Sequence, residues 1–162
     1  MEKVIIAVGS NLGDRLNMLR RAGKFLESLS ETPVKKASVW ESEPVGAAKY
    51  TFYNSAAEIS TELQPLHLLE RLKEFEQTCG RDKNPERWAP RILDLDIILY
   101  GNLVIQNDTL IIPHQEYKNR RFVLCPLQEI NQLLKDPTSG MYIEEMIQHA
   151  PVIQIRKTEL IW

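Results

Sequence analysis

Two aspartates, Asp94 and Asp96, stand inside an otherwise apolar run, Leu93-Asp94-Leu95-Asp96-Ile97-Ile98-Leu99-Tyr100. Such a run reads as a β-strand, whose side chains alternate across the sheet. Leu93, Leu95, Ile97 and Leu99 are expected on one face, and Asp94, Asp96, Ile98 and Tyr100 on the other. The two carboxylates then point the same way, about 7 Å apart. They repel unless solvent, an arginine or a cation lies between them. Such a pair suits magnesium, which keeps several waters and takes one or two carboxylates together with substrate phosphates. Alone, an Asp-x-Asp is more often a solvated strand face. Here base encloses it: Arg81, Lys83, Arg87 and Arg91 precede the pair, and Lys118, Arg120 and Arg121 follow. Acid enclosed by base points to magnesium with a polyphosphate, the carboxylates holding metal while guanidinium groups clamp phosphate oxygens and neutralise charge that develops during transfer. Without the aspartates, the same arginines would read as a solvated loop paired to Asp82 and Glu86.

Other residues are weaker signals. Gly9-Ser10-Asn11-Leu12-Gly13 lies between a strand and a helix. It lacks both the Gly-Lys-Ser/Thr ending of a Walker loop and the GxGxxG spacing of a dinucleotide fold, so it reads first as a turn and helix cap. Of the three histidines, His67 is expected on a helix surface and His149 at a helix end, where a basic group is favoured. His114, in Pro113-His114-Gln115-Glu116, is the one expected to act. Trp88, Phe52 and Phe122 read either as core and patch residues or as a cover and two faces that sandwich a planar ring.

The elements that must position these groups follow from periodicity. Val4 to Val8 is apolar on both faces and reads as a buried, central strand. Asp14 is a candidate N-cap for a helix carrying Leu16, Leu19, Ala22, Leu26 and Leu29, stopped by Ser30 to Pro33. Strands are expected over Val34 to Ser42 and Asn54 to Thr61. Pro65 opens a second helix with a stripe of Leu66, Leu69, Leu72 and Phe75, ending before Gly80. Residues 81–91, with two prolines and four basic residues, have no period and read as a surface loop. Gly101-Asn102 signals a hairpin into Leu103-Val104-Ile105. Short helices are expected over Phe122 to Ile130 and Tyr142 to His149, around an Asp136-Pro137 turn. The order strand, helix, strand, strand, helix, strand predicts an α+β fold close to the ferredoxin-like arrangement.

Composition bounds the partners. The 162 residues carry 20 Lys plus Arg against 22 Asp plus Glu, a formal charge of −2, which excludes a polybasic binder and argues against nucleic acid as main partner. The length fits one domain spanning residues 1–162, with no internal repeat or linker. Cys79 and Cys125 lie in no CxxC or CxxH pair, so a zinc site and a secreted disulfide framework are unsupported. A reduced, cytoplasmic protein without signal peptide or membrane span is expected.

The string Arg87-Trp88-Ala89-Pro90-Arg91-Ile92-Leu93-Asp94-Leu95-Asp96-Ile97-Ile98 resembles the signature of the 6-hydroxymethyl-7,8-dihydropterin pyrophosphokinases of folate biosynthesis. Gly9 to Gly13, Ser42-Glu43-Pro44-Val45-Gly46, Phe52-Tyr53-Asn54, Gly80-Arg81, Pro113-His114 and Lys118-Asn119-Arg120-Arg121-Phe122 join it in family order over nearly the whole chain. The resemblance implies transfer of pyrophosphate from ATP to the pterin hydroxymethyl oxygen, leaving AMP. It also implies an antiparallel sheet with helices on both faces, a three-layer α-β-α arrangement, and a monomer. Asp94 and Asp96 would hold two Mg2+ ions, and Arg81 and Arg91 would be catalytic. Glu76, Trp88, Arg91, Ile97, Leu110, Ile111, His114 and Arg120 would bind ATP, with adenine received by backbone around Ile97, Leu110 and Ile111. Phe52 and Phe122 would stack the pterin, Asn54 would hydrogen-bond its edge, and Ser42, Pro44, Val45 and Gly46 would line its site. Closure of residues 42–50 and 81–91 would exclude water. The chain departs from many members of the family in having Thr109 for Arg, Gln115 for Tyr and Lys73 for Gln.

Two other readings compete. One is a non-catalytic module of ferredoxin-like shape that binds single-stranded RNA through the basic loop and exposed aromatics, although the aromatic pattern such modules use on adjacent strands is lacking. The other is an Asp-x-Asp glycosyltransferase or nuclease, for which the chain is short in the first case.

Overall fold

Val4 to Val8 offers water no polar position. In the computed structural model, which describes residues 1–44, 50–80 and 92–162, this run is the middle of strand β1 (Glu2–Ser10), flanked on both sides. One neighbour is β4 (Phe52–Thr61), antiparallel with Gly9 opposite Asn54. The other is β5 (Asp94–Tyr100), also antiparallel, with Gly9 opposite Asp94 and Ala7 opposite Asp96. Beyond β4 lie β3 (Trp40–Ser42) and β8 (Ile155–Lys157), giving the order β5-β1-β4-β3-β8, while β2 (Lys35–Lys36) also pairs with β4. The βαββαβ core with this strand order is the ferredoxin-like α+β arrangement expected from the sequence. Residues 45–49 and 81–91, which include Val45, Gly46, Arg81, Trp88 and Arg91, lie outside the described residues.

Helices α1 (Arg15–Leu29) and α2 (Pro65–Thr78) cover one face of the sheet. Asp14 caps α1 as its position suggests, accepting the Asn17 backbone N–H at 3.1 Å, and Gly13 takes the turn before it at φ 71°. Leu19, Ala22 and Leu26 pack with Leu68, Leu72, Val4, Ile6, Val8, Leu93 and Leu95 into the larger core. Helices α3 (Arg121–Ile130) and α4 (Ile143–His149) cover the other face, where Leu124, Leu127, Ile143 and Met146 meet Ile5, Ala56, Ile98 and Leu99. The sheet is thus the middle of three layers.

Several expectations need correction. The stretch from Val34 to Ser42 is two strands, β2 and β3, interrupted where Ser55 Oγ donates to the carbonyls of Ala37 and Ser38. Gly101-Asn102 does not fold a strand back onto β5. Instead β6 (Ile105–Gln106) pairs with β7 (Ile111–Ile112) in a separate two-stranded sheet. In α2 the fully buried line is Leu68, Leu72 and Glu76, while Leu66 is 46% exposed. Strand β8 closes the far edge of the sheet and carries no alternation long enough to announce it.

One correction bears on the site. The register between β1 and β5 shifts between Ile5 and Ile6, so that Ile98 is an extra residue on β5. A bulge reverses the alternation beyond it. Leu93, Leu95 and Ile97 face α1 and α2 and Ile98 faces α3 as expected, but Leu99 joins the α3 side and Tyr100 the α2 side. The bulge leaves the Ile98 carbonyl open to the backbone N–H of His114, at 2.9 Å. One irregularity thereby fixes His114 beside the aspartate strand.

Candidate active site

The site residues collect at one end of the sheet, on the α3 side. Asp94, Gly9, Asn54 and Trp40 form a row across four strands, and Asp96, Ala7 and Ala56 form the next. Gly9 has no side chain and Ala7 only a methyl, so between the aspartates on β5 and Asn54 on β4 the sheet is a floor of bare backbone. A Cβ at Gly9 would stand 3.1 Å from Asn54 Oδ1, which ties the absence of a side chain there to close packing.

Asn54 is buried and donates through Nδ2 to Ser42 Oγ at 2.8 Å, joining β4 to β3 beside the paired residues Phe52 and Ser42. Both ends of the segment between them are fastened by contacts the sequence did not suggest. Gln154 accepts the Glu43 N–H at 3.2 Å and returns its own N–H to Glu43 Oε1. Arg15, lying 3.9 Å over the Tyr53 ring, donates to the Thr51 carbonyl at 2.8 Å and to Oγ1 at 2.6 Å. Phe52 is partly exposed, Pro44 is exposed, and Phe122 packs partly buried at the rim of the α3 core. Among the described residues the one stacked ring pair, Phe25 on Phe75, lies on the opposite face of the sheet, so Phe52 and Phe122 are not spent on each other.

The aspartates are held from α2. Strand β5 is the sheet edge, and its outward backbone groups at Leu95, between the two aspartates, need partners. Glu76, 2% exposed, accepts the Leu95 N–H through Oε1 at 2.7 Å, and Lys73 Nζ donates to the Leu95 carbonyl at 3.0 Å. Lys73 also bonds Glu76 Oε1 at 3.0 Å and lies 3.6 Å from Asp96 Oδ1. Burial pulls the Lys73 pKa down, but Asp96, Glu76 and Asp94 outweigh it and the ammonium is held above its ordinary value. For Asp96, burial and then the Asp94 carboxylate raise the pKa; Lys73, His114 and Arg120 oppose this without reversing it. The Asp94 carboxylate thus makes ionisation of Asp96 costly, and positive charge beside Asp96 offsets that cost.

His114 and Arg120 stand close enough to act on those charges. The Glu116 N–H donates to His114 Nδ1 at 3.1 Å, which places the imidazole proton on Nε2 and leaves that nitrogen as a donor toward the site. Burial chiefly lowers the His114 pKa, with Arg120 on the same side and the aspartates against, so the ring is neutral at physiological pH. Arg120 precedes α3 with its guanidinium 5.8 Å from the centre of the Phe122 ring. The other two bases read as phosphate clamps have structural partners. Lys118 Nζ lies 3.0 Å from Asp136 Oδ2, and Arg121 Nε donates to the Ala150 carbonyl at 3.2 Å. Of the positions implied for adenine, Ile97 is a core side chain, Leu110 spends its N–H and C=O on Asn107, and Ile111 is exposed on β7. His67 is exposed on α2 and His149 ends α4, as expected.

Comparison with known proteins decides what this arrangement belongs to. The sequence matches the 7,8-dihydro-6-hydroxymethylpterin-pyrophosphokinase (HPPK) family over residues 5–132. The chain belongs to this family. It is 44% identical over 147 residues to the 2-amino-4-hydroxy-6-hydroxymethyldihydropteridine pyrophosphokinase of Haemophilus influenzae, covering 90% of this chain and 91% of that one. It is 41% identical over 146 residues to the enzyme of the same description from Bacillus subtilis, covering 88% and 87%. Other relatives are longer: the chain matches 27% of a folate synthesis bifunctional protein of Arabidopsis thaliana at 40% identity, covering 80% of itself. Among solved structures, wild-type HPPK-DHPS of Plasmodium falciparum with pterin and p-hydroxybenzoate superposes with a TM-score of 0.70 at 14% identity, over 91% of this chain and 41% of that one. A crystal structure of HPPK-DHPS in complex with substrates gives 0.69 at the same identity, over 91% and 43%. These HPPK structures share the fold, and this chain corresponds to under half of each.

Proposed function

We propose that the protein transfers the diphosphoryl group of ATP to the hydroxymethyl oxygen of 6-hydroxymethyl-7,8-dihydropterin, a step of folate biosynthesis. The hydroxyl oxygen bonds to the β-phosphorus as the hydroxyl gives its proton to water, the bond from that phosphorus to the α,β-bridging oxygen breaks, and AMP leaves with the bridging oxygen. The observation that carries this reading is the bare floor at Gly9 and Ala7, set between a carboxylate pair on β5 and a buried amide on β4, in a chain of this family. This reading puts the phosphates at the carboxylate side of the floor and the planar, hydrogen-bonding ring at the amide side.

The chain's donor set fits magnesium. Two hard carboxylate ligands, with no cluster of three or more His, Cys, Asp or Glu among the described residues, leave most of an octahedron to water and phosphate. Asp94 and Asp96 would hold Mg2+, which when bound supplies positive charge to the β- and γ-phosphate oxygens during transfer. Arg120 and the Nε2–H of His114 would bind phosphate oxygens from the opposite side, and Arg81 and Arg91 would add charge there. Glu76 and Lys73 keep the aspartate segment in place. Phe52 and Phe122 would take the pterin between them, Asn54 its polar edge, and Ser42 through Gly46 the rest of its rim. In-line transfer is mostly a matter of positioning and charge neutralisation, and no covalent intermediate on the protein is required. No helix among the described residues is long and apolar enough to cross a membrane, and the two free cysteines suit a reducing, cytoplasmic setting.

Two results test this. The phosphorus NMR spectrum of a reaction with ATP and the pterin should show AMP and a diphosphate ester; ADP and a monophosphate ester would refute attack at the β-phosphorus. Gly9→Val, which puts two methyl groups on the floor, should raise KM for the pterin at least about tenfold while the chain still folds. An unchanged pterin KM would mean that the ring binds elsewhere.

A further inference from the structure

Lys73 is the one basic residue of α2 turned onto the aspartate strand, and it holds three oxygens at once: the Leu95 carbonyl at 3.0 Å, Glu76 Oε1 at 3.0 Å and, at 3.6 Å, Asp96 Oδ1. Two of these contacts have a structural reason, because they close the open edge of β5. The third does not. Asp96 sits on the side of the strand that faces the site, and the ammonium approaches it from the helix side, through the edge.

We propose that Lys73 is a resident cation of the carboxylate pair, a positioning residue that holds Asp96 through Oδ1 and by its charge keeps the pair's affinity for a free divalent ion low, so that metal enters together with the nucleotide phosphates. The proposal rests on the reading of Asp94 and Asp96 as metal ligands. Its physical basis is direct. A divalent ion held by Asp96 would share that carboxylate with the ammonium, which stands 3.6 Å from Oδ1, and the repulsion between two cations on one carboxylate is only partly screened. The phosphates of ATP reverse the sign of the local field and remove this penalty. The lysine is 38% exposed on its side chain, so it is reachable by solvent but not free to leave without stripping Leu95 and Glu76 of partners.

Titration of Mn2+ into the purified protein without nucleotide, following free Mn2+ by electron paramagnetic resonance, tests this. Lys73→Gln and Lys73→Met, which both remove the charge, should each bind Mn2+ about tenfold more tightly than the native chain. Lys73→Arg, which keeps the charge, should stay within about threefold of native. Circular dichroism confirms folding of each. Equal or weaker Mn2+ affinity in folded Lys73→Gln and Lys73→Met overturns the proposal and leaves Lys73 as an edge clamp alone. Asp96→Asn separates the two levels: if it binds Mn2+ as the native chain does, the metal reading itself fails, whatever the lysine variants show.

Discussion

Asp96→Asn should leave a folded protein that has lost turnover by about a hundredfold or more, roughly 3 kcal/mol of transition-state stabilisation. The substitution keeps the shape of the side chain and one oxygen, while removing half of the carboxylate pair and the charge that Arg120 and His114 face. Stability moves the other way. Burial and Asp94 raise the folded-state pKa of Asp96 above its ordinary value, so the folded chain disfavours the ionised form, and that penalty grows as pH rises from the ordinary value to the raised one and is complete above it. At neutral pH the asparagine variant therefore has a Tm at or above that of the native chain, since Lys73 keeps Glu76 and the Leu95 carbonyl. A kcat near native in saturating magnesium would remove Asp96 from the metal site. A clear fall in Tm would mean that the aspartate is retained for folding.

Asp136→Ala has the largest expected effect on stability, about 3–5 kcal/mol in urea unfolding. Asp136 is buried and accepts from the Tyr117 hydroxyl, from Ser139 Oγ and N–H at 2.7 Å each, and from Lys118. Alanine leaves the fully buried Tyr117 hydroxyl and the Lys118 ammonium without that partner. Burial alone would raise the Asp136 pKa, but the hydrogen bonds from Tyr117, Ser139 and Lys118 outweigh it and hold it at about 2, against an ordinary 3.8. A depressed folded-state pKa gives stability that is complete above the unfolded value and is lost as pH falls through the folded one. The ionised carboxylate is worth about 2 kcal/mol above pH ~5 and loses this progressively toward pH ~2. Because other carboxylates titrate in the same window, the quantity to measure is the native chain minus Asp136→Asn. That difference shrinks from pH 5 to pH 3; a constant difference would show that the network does not depend on the charge. The consequence reaches the site, because the 3-10 turn Tyr117–Asn119 that Asp136 anchors runs directly into Arg120. Asp136→Asn should accordingly weaken ATP more than pterin.

The elements legible in the sequence were those whose signals are local. Val4 to Val8 could only be a doubly buried strand, Asp14 is a capping residue before a helical stripe, and two aspartates in an apolar run have few uses. What stayed hidden depends on distant partners. The bulge at Ile98 is set by pairing with Ile5 and Ile6 and by the His114 N–H, so strict alternation misplaces Leu99 and Tyr100. Glu76 falls on the buried line of α2 with Leu68 and Leu72, but its charge gives it the appearance of a surface position until its partner, the Leu95 N–H, is seen across the edge of β5. Lys118 and Arg121 look like phosphate ligands beside Arg120, yet Asp136 and Ala150 claim them. Strand β8 is three residues long and exists because β3 offers it an edge. The aspartate pair, His114, Arg120 and Asn54 do converge on one floor; Arg81, Trp88 and Arg91 lie in residues 81–91, outside the described structure.

The most direct test is a coupled assay for AMP released from ATP, run with and without magnesium and with and without 6-hydroxymethyl-7,8-dihydropterin. AMP should form only when metal and pterin are both present, in amounts that match the pterin consumed. No AMP from a folded protein that binds ATP, or AMP formed at the same rate without the pterin, would contradict diphosphoryl transfer at this site.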